Sequence, residues 1–212
     1  MGEIIMTKTV TRLFDDYSEA RAAVRALESA GFQHDDISIV ANKDAYGRHD
    51  RDNDSVNEDG DVTRGAATGA VLGGVGGLLA GLGLLAIPGL GPIVAAGWLA
   101  STAAGAAIGG VGGAATGGIV GALKHAGHDD DEAHVYSEGV RRGGTLVSAR
   151  VPDERRAEAE TILIRHNSVD AATRGAAYRE SGWTAFDPEA DPYTTEQIDA
   201  ERSRYTTPRQ SL

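Results

Sequence analysis

This sequence predicts an α+β fold: a ferredoxin-like split βαβ–βαβ domain with an inserted Gly/Ala-rich α-helical hairpin. Three observations predict it. Residues 7–43 carry one βαβ pattern, residues 129–178 carry a helix and a second βαβ pattern, and residues 65–123 between them hold no Asp, Glu, Lys, Arg or His. A polar, Asp-rich linker (44–64) precedes the uncharged stretch, and a polar tail (179–212) ends the chain.

The first half opens with the β-branched run Thr9–Phe14. Asp16, three residues before Glu19, reads as a capping-box-like helix start. Ala20, Ala23, Val24 and Leu27 follow helical spacing, and Gly31 stands where a glycine ends a helix. Ile37, Ile39 and Ala41 then alternate as a strand does. In the second half Val147, Ala149 and Val151 alternate, Pro152 opens a helix, and Ala157 with Ile162, Leu163 and Ile164 forms its apolar side. A weaker strand at Ala171–Thr173 is expected to complete the sheet, with both helices on one face.

Within the uncharged stretch the glycines keep a register. Gly65, Gly69, Gly73, Gly77 and Gly81 recur every four residues, then Gly97, Ser101, Gly105, Gly109, Gly113, Gly117 and Gly121 resume the pattern after Ile87–Pro92. On a helix an i, i+4 series of small residues forms one ridge along which a second backbone can approach closely. These twelve positions are the expected helix-packing interface, on arms 65–87 and 93–123. Each arm is long enough to cross a bilayer, and Arg64 and Lys124 flank the pair on one side. Gly and Ala are weakly lipophilic, however, so a homo-oligomer with its hairpins packed inside, a cage or ring, is the competing expectation. Both require self-association.

Composition narrows the function classes. A net charge of −11 argues against nucleic acid and against electrostatic adhesion to anionic lipid. With no cysteine, disulfides, thiolate zinc sites and Cys nucleophiles are excluded. Met1–Thr7 has no cationic segment followed by a long apolar run, so no secretory signal is expected and the termini are expected in the cytoplasm. The glycines lack the Lys of a phosphate-binding loop. His125, His128 and His134 lie among Asp129, Asp130, Asp131 and Glu132, a grouping that invites a metal. Its plainer reading is a helix with acids at its start and Arg141 and Arg142 at its end, opposing the dipole. No metal, cofactor or catalytic residue is expected. In the tail, Thr194 and Gln197 suggest a capped helix through Arg204, and Trp183, Phe186 and Tyr193 are its aromatic anchors.

Several segments resemble a known family. Ala86-Ile87-Pro88-Gly89-Leu90-Gly91-Pro92, the glycine repeats and Tyr136-Ser137-Glu138-Gly139-Val140-Arg141-Arg142-Gly143-Gly144 resemble bacterial general stress proteins of the 17M-like type and the related low-temperature-induced membrane proteins. Ala30-Gly31-Phe32 and Asp35-Asp36-Ile37-Ser38 are similar to that family's N-terminal domain. The resemblance implies a stress-linked, membrane-associated protein without known catalysis. The leading expectation is thus a non-enzymatic structural protein that self-assembles, associated with the inner membrane. A small-molecule-sensing module on the ferredoxin-like sheet is a further alternative.

Overall fold

The computed structural model describes residues 7–43, 83–87, 89–102 and 118–205. Five strands, β1 (Thr7–Phe14), β2 (Ile37–Asn42), β3 (Gly83–Ile87), β4 (Gly91–Gly97) and β5 (Thr145–Pro152), form one antiparallel sheet in the order β1-β5-β2-β4-β3. The helices are α1 (Tyr17–Ser29), α2 (Gly118–His125), α3 (Asp130–Arg141), α4 (Arg156–Arg165), α5 (Ala171–Glu180) and α6 (Thr195–Tyr205). The α+β class is as expected.

Local signals set the helix ends. Asp16 accepts a 2.7 Å bond from the Ser18 N–H at the start of α1, and Gly31 (φ +85°) follows its last turn. Asp129 caps α3 by accepting from the Glu132 N–H at 2.8 Å. At α6, Gln197 N–H donates to Thr194 Oγ1 (3.3 Å) while Thr194 N–H donates to Gln197 Oε1 (2.8 Å), a reciprocal capping box.

Alternation along the strands sends apolar residues to both faces of the sheet. On one face Val10, Phe14, Ile39, Val147 and Ala149 pack with Tyr17, Val24 and Leu27 of α1 and Ala159 and Leu163 of α4. On the other, Leu13, Val40, Ile93 and Leu146 pack with α2, α3, α5, Trp183 and Phe186. Every residue of β2 is therefore buried. The tail is no loose end: Trp183 and Phe186 are buried and Ile198 of α6 is fully so.

Two expectations need correction. Ala171–Thr173 is not a strand. Asp170 accepts from the Thr173 N–H at 2.7 Å and starts α5 there, so only Val169 reaches the sheet, exchanging N–H···O bonds of 3.0 and 2.8 Å with Leu13. Nor are the arms 65–87 and 93–123 continuous helices. Residues 83–87 and 91–97 are the strands of a hairpin whose turn falls within Ile87–Pro92, where a turn between helices was expected, closed by Leu90 N–H donating to Ile87 O at 3.1 Å. Pairing with β2 decides the matter: Ile93 and Val94 lie opposite Asn42 and Ala41, and these long-range ladder bonds override the glycine spacing.

Gly97 is accordingly no helix-ridge position. It ends β4 at φ +86°, where a Cβ would come 2.2 Å from the Ile37 carbonyl oxygen. Ser101 is exposed on a helical turn at 98–102, and Gly121 is half-buried in α2. Gly65, Gly69, Gly73, Gly77, Gly81, Gly105, Gly109, Gly113 and Gly117 lie outside the described residues, as does the 44–64 linker.

Gly97 and Gly31 share a positive φ and differ in space, since nothing lies within 4 Å of a Cβ at Gly31. Gly31→Ala should cost about 1–2 kcal/mol of backbone strain. Gly97→Ala must also displace backbone and should cost about 3 kcal/mol or more. Urea unfolding midpoints of the two variants check the ranking.

Candidate functional site

The segment Tyr136–Gly144 ties the structure together. Tyr136 donates its hydroxyl to Thr11 O (2.7 Å) beneath β1, and burial with the nearby Glu132 charge raises its pKa. A Cβ at Gly139 would meet Leu13 Cδ2 at 2.5 Å, so glycine lets α3 lie this close to β1 without displacing the buried Leu13 side chain. Gly143, at φ +90°, ends α3 with Ile198 of α6 seated against it.

Next to Gly139 stands a fully buried carboxylate. Glu138 accepts from Arg141 Nε (2.9 Å) and Nη2 (2.8 Å), and from Arg142 Nε (2.7 Å). Arg142 donates its Nη1 to Glu201 of α6 at 2.9 Å, and its guanidinium lies 4.1 Å over the Tyr178 ring centroid. Burial alone would lower the Arg142 pKa; the bonds to Glu138 and Glu201 outweigh it, and the pKa rises. A second clasp joins α5 and α6 to the end of β1. Arg174 bonds Asp15 (2.7 Å) and stacks 3.8 Å from the Tyr205 ring, while Arg202 reaches Asp15 O (2.9 Å). The tail also covers the β3–β4 turn, with Pro188 and Phe186 against Gly89.

The grouped histidines resolve differently from a metal site. His128 Nδ1 lies 2.9 Å from Glu132 Oε2, and its Nε2 lies 2.7 Å from Thr11 Oγ1, which bonds Ser148 Oγ at 2.7 Å. Carboxylate, imidazole and hydroxyl thus stand in the order of a nucleophilic relay. The chain runs inward, however, to a fully buried Ser148, and Thr11 is 5% exposed. Asp130 pairs with Lys124 and, at 3.8 Å, with His134. Among the described residues no group of three His, Cys, Asp or Glu is placed to hold a metal.

Beside this relay runs a polar slot of about 460 Å³. Its floor is β1 from Thr7 to Arg12; His128, Glu132 and Tyr136 form one wall, Arg156 and Glu160 the other, and Asp170 closes an end. Arg12 pairs with Asp170 at 3.3 Å and Arg156 with Glu160 at 2.9 Å.

With this geometry in place, one comparison bears on family. Residues 9–86 match the family model of the heat induced stress protein YflT domain. The match covers β1, α1 and β2 and reaches β3, and it supports a bacterial general stress protein family. No curated protein and no solved structure matches the chain.

The buried network was not foreseen. Glu138 with Arg141 and Arg142 reads in sequence as an ordinary i, i+3 and i, i+4 surface pair. The one available signal was Gly139 and Gly143 in the same segment, where Leu13 and Ile198 approach closely.

Glu138→Ala should cost about 3–5 kcal/mol, because Arg142 would stay buried with half its partners gone. Glu201→Ala leaves Arg142 bonded to Glu138 and should cost about 1.5–3 kcal/mol. It should also speed cleavage after Glu189 in the 187–194 segment, which urea unfolding with limited V8 digestion would show. A pH dependence follows from Asp16. Burial pushes its pKa up, but bonds from the Ser18 hydroxyl and N–H and the Arg202 charge prevail and hold it below its ordinary 3.8. A carboxylate depressed on folding stabilises fully above its unfolded pKa and less as pH falls through the folded one. Asp16→Asn should therefore flatten the loss of thermal stability below about pH 4.

Proposed function

We propose that the chain is a non-enzymatic structural protein of the bacterial stress response that works by self-association. Its core is read as a ferredoxin-like split βαβ–βαβ unit. The neighbours β1-β5-β2, with α1 and α4 on one face, support that reading, with Val169 as the remnant of the fourth strand. The match of residues 9–86 to the heat induced stress protein YflT domain carries the stress assignment.

Self-association is assigned to the glycine repeats on either side of the β3–β4 hairpin. Among the described residues no helix is long and apolar enough to cross a membrane. The sheet claims 83–87 and 91–97, which a spanning hairpin would need for its inner turns. Residues 65–82 lie at the short end of the about 17–25 apolar residues a bilayer crossing takes, and their Gly and Ala are weakly lipophilic. The reading therefore favours contacts between copies of the chain over insertion. The buried ionisable groups suit a scaffold, since Glu138, Arg142, Glu201 and Arg174 are all paired with one another or with Asp15.

Cells lacking the protein should survive heat challenge less well, and the wild-type chain should restore survival. Gly73→Leu and Gly109→Leu should fail to restore it and should lower the native mass in size exclusion, while Gly76→Ala should behave as wild type. Equal survival without the protein would reject the stress role. An unchanged mass in the Leu variants would reject assembly through the glycines.

A further inference from the structure

The C-terminal helix is attached differently from the others. Each of α1 to α5 buries at least two apolar side chains, whereas α6 buries one, Ile198, together with the charged Glu201. A free helix of 11 residues is marginal in water, so α6 depends on what it docks against. Ile198 sits on Gly143, and Glu201 accepts from Arg142. Arg202 donates to Asp15 O at 2.9 Å and to the Asp16 carboxylate at 3.4 Å, and the Tyr205 ring stacks on Arg174.

Each charged partner in that set keeps a counter-group without α6. Arg142 retains Glu138 on its Nε (2.7 Å), Arg174 retains the Asp15 carboxylate (2.7 Å), and Asp16 retains the Ser18 N–H (2.7 Å). Glu201 takes Arg204 with it, 3.1 Å away on the same helix. Parting a buried ion pair is ordinarily costly because one charge stays buried and alone. Neither charge is left so here, since the departing helix also readmits water to Arg142. The connection permits the movement. Residues 187–194 lead from the buried Phe186 to α6, with Asp187, Glu189, Asp191 and Pro192 exposed. Arg141 holds this linker by a long bond of 3.4 Å to Asp191 O and by lying 5.0 Å over the Tyr193 ring.

We infer that α6 is a latch. It releases as a unit on the 187–194 linker while the sheet and α1 to α5 stay folded, and the released fraction rises with temperature. Release returns conformational entropy to a whole helix and gives up little apolar burial, so heating favours it. Closed, α6 covers the end of α3; open, Arg142 and Gly143 face solvent and Arg174 loses its Tyr205 cover. The surface at that end is thereby set by temperature without unfolding the domain. Nothing in the latch involves the glycine repeats.

Amide hydrogen exchange of the full-length chain, resolved by residue, tests the latch. Amides from Ile198 to Tyr205 should share one opening equilibrium that increases on warming. Relative to their intrinsic rates they should exchange at least about 100-fold faster than those of β5. Glu201→Ala should speed α6 exchange about tenfold or more and leave β5 within about threefold, which also shows that the variant is folded. Protection of α6 equal to that of β5, or an equal effect of Glu201→Ala on both, would overturn the inference, because the helix would then open only with the domain. So would protection that falls steadily from Ile198 to Tyr205, the pattern of an end fraying residue by residue.

Discussion

A carboxylate removed from water governs how this molecule closes. Desolvating an ionised group costs several kcal/mol unless opposite charge and hydrogen bonds meet it, and Glu138 is met by Arg141 and Arg142 from its own helix. Arg142 is then itself buried and needs a second acceptor, which Glu201 of α6 supplies. A short motif in α3 thereby obliges a helix about sixty positions later to return to the domain. The glycines make that return sterically possible, since Gly143 leaves room for Ile198 and Gly139 for Leu13. The tail in turn holds the β3–β4 turn through Phe186 and Pro188. One buried charge thus links the C-terminal helix to the inserted hairpin.

Both faces of the sheet are covered, but its two edges differ. At β1 the connection after α4 makes one bridge, through Val169, and turns away. Asp170 decides this by capping α5, because a residue that satisfies a helix's first N–H groups favours the helix over a continuing ladder. Covering the second face therefore leaves the β1 edge open. α5 brings Tyr178 beneath Arg142 and Arg174 beside Asp15, contacts a fourth strand could not have made.

What the sequence discloses follows the range of the forces involved. The cap at Asp16, Gly31, the acidic start of α3 and the Thr194–Gln197 box act within one helical turn, and each stands where its residues indicate. The β-branched run of β1 and the alternations in β2 and β5 were readable for the same reason. The strands at 83–97 were not, because four-residue glycine spacing is a helical signal and the competing signal is pairing with β2, some fifty positions away. Ala171–Thr173 misled in the opposite direction: the strand was expected only to complete the second βαβ pattern, and the cap at Asp170 starts a helix there instead. Of the twelve glycine-register positions, Gly97 proved to serve a strand end, Ser101 is exposed, and Gly121 lies half-buried in α2.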